Sequence, residues 1–197
     1  MKKFLFVAVL ALASVMAYAQ PRAIGVRLGE FDGVSYQHGF GDNNMLEIEA
    51  GFNWGSWFGN SMVFWENGNA YHMYGHNVQL AVTYDWIDPF GATFPSLPKG
   101  EFHWYLGVGA AGGYGWYGWA YEHGTGVYVG GDGNWGFAAA AGRVGVEYDF
   151  WFPLQLSIDF RPTLGVFLAG NGNGGVGAAF GYDLYAGGLG LGVRYKF

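Results

Sequence analysis

The chain has no cysteine, which excludes disulfides, thiolate metal sites and a lipid attached through a cysteine. Charge is scarce: 12% of the 197 residues are Asp, Glu, Lys or Arg, while 20% are aromatic, so solubility from charge is limited. Fifteen acidic residues stand against nine basic ones. Phosphate recognition relies on Lys and Arg to displace counterions, so nucleic acid is not an expected partner. Beyond residue 19, no uninterrupted apolar run reaches the roughly 20 residues of a spanning helix. Pro89, Pro95 and Pro98 cannot donate to a sheet ladder and mark 87–100 as a connection.

What the chain has instead is alternation. Between 185 and 197, Tyr185, Leu189, Leu191, Val193, Tyr195 and Phe197 share one parity, and Ala186, Gly188, Gly190, Gly192, Arg194 and Lys196 the other. Side chains of a strand alternate between faces, so one face is greasy and the other small or cationic. The pattern recurs over 22–30, 34–40, 45–54, 77–86, 101 to about 113, 138–150 and 154–164, and the last strand opens at Tyr182. Helical periodicity is nearly absent between them. The expectation is an all-β fold, a transmembrane up-and-down antiparallel β-barrel of eight strands, whose spaced apolar residues escape a hydropathy window. An even count closes the sheet and leaves no unpaired edge in hydrocarbon. Pro162 interrupts the seventh strand and predicts a bulge or a local distortion near it.

Residues 1–19 begin with Lys2 and Lys3, run apolar over 4–12 and end in Ala17-Tyr18-Ala19, the make-up of a cleaved secretory signal peptide. Residues 20–197 are then the barrel domain. Without the two signal lysines it carries seven basic and fifteen acidic residues, a net charge of minus eight.

The inward parity collects Arg27, Arg143, Arg161, Arg194 and Lys196 together with Glu47, Glu49, Glu147, Asp149 and Asp159. An eight-stranded barrel is just wide enough for side chains to fill it. These charges are expected to interlock as a structural plug, arginine's planar fork suiting carboxylates in a confined space. A narrow channel is the rival reading. No catalytic centre, cofactor or metal is expected.

Short links follow the second and sixth strands, and long Gly- and aromatic-rich links follow the third, fifth and seventh. Short turns of such barrels face the periplasm and long loops face outward, with both termini periplasmic. The proline-containing link after the fourth strand is longer than this rule expects. In this orientation Phe40, Tyr84, Trp86, Phe102, Trp104, Tyr148, Phe150, Tyr195 and Phe197 form a periplasmic aromatic girdle at headgroup level. The outer loops carry Trp54, Trp57, Phe58, Trp65, Tyr71, Tyr74, Trp116, Tyr117, Trp119, Tyr121, Tyr128 and Trp135. They suit a glycan- or protein-binding surface, or an outer girdle with strands extended above the membrane as hairpins.

Three other patterns suggest chemistry or turns. His72 and His76 with Glu66 would bind zinc only on a helix, against which the neighbouring Gly, Asn and aromatics argue. Gly130-Gly131-Asp132-Gly133-Asn134 and the segment 170–175 read as turns.

The signal peptide, the alternating strands and the Tyr195-Lys196-Phe197 ending together resemble the small eight-stranded outer-membrane β-barrel proteins of Gram-negative bacteria, over nearly the whole mature chain. The segment Gly33 to His38 and Asp159-Phe160-Arg161-Pro162 look most like the Bacteroidetes branch. The resemblance implies that Leu191, Val193, Tyr195 and Phe197 form the signal read by the outer-membrane assembly machinery, and that outer-membrane lipid surrounds the barrel. Family members range from structural barrels and adhesins to lipid-modifying enzymes. Some deacylases of lipid A place His, Ser and a carboxylate on the outer face. His38 invites that comparison, but Ser35 has the opposite parity.

Overall fold

The structure is a computed structural model that describes residues 22–29, 32–41, 43–53, 62–66, 69–91, 93–95, 97–123, 127–171, 176–183 and 188–197. Within these, the side chains of 22, 53–75, 117–132, 167 and 169–183 lie outside the description. The expected signal peptide, the side chains of Glu66 and His72, and most of the loop aromatics therefore fall outside the described residues.

Eleven strands follow one another: β1 Arg22–Gly29, β2 Asp32–Gly39, β3 Asn44–Asn53, β4 Met62–Glu66, β5 Asn69–Ile87, β6 Gly100–His123, β7 Val127–Phe150, β8 Leu154–Phe160, β9 Thr163–Asn171, β10 Val176–Asp183 and β11 Leu189–Lys196. They form eight walls. β8 and β9 lie end to end against β7, and β10 and β11 likewise make up one wall, while β4 pairs only with β5. β11 pairs antiparallel with β1, Val26 opposite Val193, and so closes an up-and-down antiparallel barrel. Strands of alternating pattern that cannot bury an apolar face against a second layer satisfy every backbone group by closing on themselves.

The distortion expected near Pro162 is present. Residues 161–162 part β8 from β9 without inserting a residue against β7. Val144 faces Phe160 and Ala141 faces Thr163, so the register runs unbroken across the proline. Pro162 lacks only its donor, and its carbonyl still accepts from Gly142 N at 2.9 Å. The extra residues sit on the neighbouring wall: six steps separate Asp183 from Leu189, where three separate their partners Thr163 and Phe160.

The strands toward the long-loop end also exceed the expected limits. β6 and β7 are 24 residues each rather than ending near 113 and starting at 138. The expected turn at 130–134 lies inside β7, where Asp132 faces Gly118 and Asn134 faces Trp116. His72 and His76 both lie in β5. An i, i+4 pair on a strand is about 13 Å apart at a rise of about 3.3 Å per residue, so the helical zinc spacing is not formed. The long link after β5 opens with a short turn at Pro89–Gly91, tied down by Asp88 Oδ1, which accepts from Trp104 N at 3.2 Å.

The two faces of the wall are opposite in character. Val26, Ile158 and Leu191 expose 46, 55 and 54% of their surface outward, while Arg27, Arg143 and Arg194 expose at most 2% inside. Toward the long-loop end the interior turns small, with Ala81, Ala111 and Ala141 packed beside Phe137. Glycine sets the curvature. A Cβ on Gly109 would stand 2.0 Å from the carbonyl oxygen of Val82 on the next strand, backbone that cannot rotate aside. Gly109→Ala is expected to lower stability by about 1–3 kcal/mol, the range for overpacking, read as a shift in the urea midpoint of refolded protein.

Candidate functional site in the barrel lumen

The inward residues of five strands meet at Arg143, whose guanidinium is the hub. Its Nη1 donates to Asp85 Oδ2 at 2.9 Å and to Glu47 Oε2, and its Nη2 donates to Asp159 Oδ2 at 3.1 Å and to the Tyr105 hydroxyl at 3.1 Å. The same guanidinium carbon lies 4.6 Å from the centroid of the Tyr105 ring. Arg27 donates to Asp159 Oδ1 at 2.7 Å and to the Gly188 carbonyl at 3.1 Å, and its Nε is 3.4 Å from Glu49. Arg161 Nη1 donates to Glu49 Oε2.

A second knot surrounds Glu47. Arg194 Nη2 and the Ser35 hydroxyl donate to its Oε1, the latter at 2.6 Å, and Gln37 Nε2 donates to its Oε2 at 2.8 Å. Arg194 also donates through Nε to Ser35 Oγ at 2.6 Å and through Nη1 to Ser157 Oγ at 2.7 Å. Strand alternation selects which residues point inward, while closure of the sheet decides which of them meet. Arg27 and Asp159 are 132 residues apart in sequence.

Lys196 and Asp149 lie apart from this cluster. They pair at 3.0 Å at the short-turn end, where each side chain keeps 26 to 29% of its exposure. Glu147 is buried nearby with no carboxylate–guanidinium pair among the described residues. At the same end His103 Nδ1 is 2.7 Å from Asp88 Oδ2.

Asp85, Tyr105 and Ser35 are members of the network beyond those expected from the sequence. Each has the inward parity, but parity alone does not distinguish a partner from a filler. The further signal is complementarity of size. A Cβ on Gly107 would fall 1.7 Å from Asp85 Oδ1, one on Gly145 2.5 Å from the Tyr105 hydroxyl, and one on Gly190 2.2 Å from the Arg27 guanidinium carbon. Inward glycines thus face the largest polar side chains and leave them their room.

The outer face holds the aromatics. At the short-turn end Tyr84 and Trp86 lie 5.5 Å apart, Phe102 and Tyr148 4.6 Å, Tyr148 and Phe150 4.6 Å, and Tyr195 and Phe197 6.5 Å between centroids. Phe40 packs edge-on against His38 at 4.8 Å. His38 is 4% exposed, so its ring is packed among neighbours rather than reaching outward. Ser35 lies on the opposite face, engaged with Glu47 and Arg194. At the other end Trp116 and His76 lie beside Phe52, each ring 6.0 Å from it. Trp135, expected in an outer loop, lies on the inward parity of β7 and stacks on Phe137 at 5.8 Å. Among the described residues no group of three His, Asp or Glu has a metal-binding arrangement.

No family model and no curated protein matches the chain. Among solved structures, it is similar to the crystal structure of a major outer membrane protein from Thermus thermophilus, over 91% of this chain and 100% of that one, at 14% identity and a TM-score of 0.48. A likeness of that size assigns neither role nor partner.

Proposed function

We propose that the chain is an integral outer-membrane β-barrel of the small eight-stranded kind, with a structural or surface-interacting role. The observation that carries this reading is the inverted distribution of polarity, in which Ile24, Val34, Val108, Ile158 and Leu191 are exposed outward and Arg27, Glu47, Asp85 and Arg143 are buried inside. Water would penalise such an outer surface, since exposed apolar patches this extensive are rare on soluble monomers. A hydrocarbon solvent favours it.

In this reading the short-turn end and both mature termini face the periplasm, and the hairpin of β6 and β7 projects outward. The rings of Phe40, Tyr84, Trp86, Trp104, Tyr148 and Phe150 sit at the periplasmic headgroups. Leu191, Val193, Tyr195 and Phe197 serve as the assembly signal, and the resemblance of 33–38 and 159–162 supports the Bacteroidetes branch. The interlocked charges act as a plug. A guanidinium hub with carboxylates on several sides leaves no continuous water column at its level.

Two measurements test this. Membrane fractions should hold a form that migrates faster before heating than after, with surface protease cutting at the long outward links, the β6–β7 hairpin among them. Purified protein in planar bilayers should show no stable large conductance steps. A heat-insensitive soluble protein would overturn the membrane assignment, and regular large steps would overturn the plug.

A further inference from the structure

Counted as ionised, the buried side chains of the lumen do not balance in charge. Among the described residues, five buried carboxylates, Glu47, Glu49, Asp85, Glu147 and Asp159, accompany four buried guanidiniums, Arg27, Arg143, Arg161 and Arg194. Four of those carboxylates lie within 4.0 Å of a guanidinium. Glu147 is the exception: it is 4% exposed and its Oε2 has no hydrogen-bond partner. A buried carboxylate oxygen without a hydrogen bond is costly for a fold to keep.

Glu147 lines a cavity of about 290 Å³ at the short-turn end. That is far more room than the roughly 10–15 Å³ one water occupies on such a measure. The lining offers further acceptors. Asp149 Oδ1 is buried without a hydrogen-bond partner, while its Oδ2 is taken by Lys196. Gln37 gives its amide nitrogen to Glu47, which leaves its carbonyl oxygen as an acceptor. Ala23 and Met45 add apolar wall.

We propose that this vestibule binds a small organic monocation carrying a primary ammonium on a short apolar chain. One positive charge offsets Glu147, since of the other charged groups on the lining Asp149 is matched by Lys196 and His103 is paired with Asp88. Three N–H donors meet the carboxylate and amide oxygens, and the alkyl part lies on Ala23 and Met45. A divalent ion would overshoot the charge, and the described residues supply no triad of ligands for one. A bare alkali ion would leave most of the volume unfilled.

The test is calorimetric titration of the full refolded barrel, in zwitterionic detergent at neutral pH and low salt, with butylammonium chloride. Saturable binding with one site per chain is expected. Glu147→Gln should weaken it by about tenfold or more, and Ala23→Leu, which fills the cavity from β1, should abolish it. Glu101→Gln, a change at a side chain 67% exposed and outside the cavity lining, should leave it unaltered. Tetramethylammonium, which has no N–H, should bind at least about tenfold more weakly. Absence of saturation in the parent overturns the proposal, as does Glu147→Gln binding like the parent. Equal binding of potassium would assign a bare-ion site instead, and equal binding of tetramethylammonium would remove the hydrogen-bonding basis; both overturn it. Should Glu147→Gln fail to refold, Ala23→Leu decides.

Discussion

Arg143→Met is expected to destabilise the barrel by about 3–5 kcal/mol, the cost of removing one member of a buried ionic group and leaving its partners charged. Methionine keeps much of the volume, so the loss reports charge rather than a cavity. Glu47 retains Arg194, Ser35 and Gln37, and Asp159 retains Arg27. Asp85 keeps only Thr83, at 3.1 Å. The second change Asp85→Asn should therefore recover part of the loss, whereas Glu49→Gln, tied chiefly to Arg161 and Arg27, should not. Urea unfolding in phospholipid vesicles measures all three. A loss below about 1 kcal/mol for Arg143→Met would place it among exposed ion pairs and dismiss the buried-hub account.

The second large effect concerns the opposite face. Ile158→Arg puts a guanidinium where an apolar side chain is 55% exposed and pairs across the strand with Leu191. Near the middle of a bilayer an outward arginine costs about 2–4 kcal/mol. The folded fraction on unheated gels should fall accordingly, and less so in a thinner bilayer that lets the side chain reach the interface. Phe90→Arg, at a residue 92% exposed in the link after β5, should change nothing. Equal tolerance of both substitutions would mean that water, not lipid, meets Ile158.

The two predictions rest on different kinds of information. That Arg143 points in and Ile158 points out follows from a period of two, which any strand obeys whatever it pairs with. Strand length was less legible. Residues 114–123 and 127–137 are rich in Gly and aromatics, a composition shared by turns and strands. They are strands because each supplies the other's ladder from Gly115 opposite Trp135 to His123 opposite Val127. Pro162 illustrates the converse. Its missing donor does part β8 from β9, yet the register against β7 is kept on both sides, with Gly142 N donating to its carbonyl.

Alternation alone therefore determined the all-β class and the face on which each charge lies, because side-chain direction in a strand is a local property. Only the tertiary structure decided that Arg27 meets Asp159, that Glu47 sits between Arg143 and Arg194, and that Glu147 Oε2 is buried without a hydrogen bond. Those pairings depend on register and on how the walls curve around the lumen, and both are set by contacts between residues far apart along the chain.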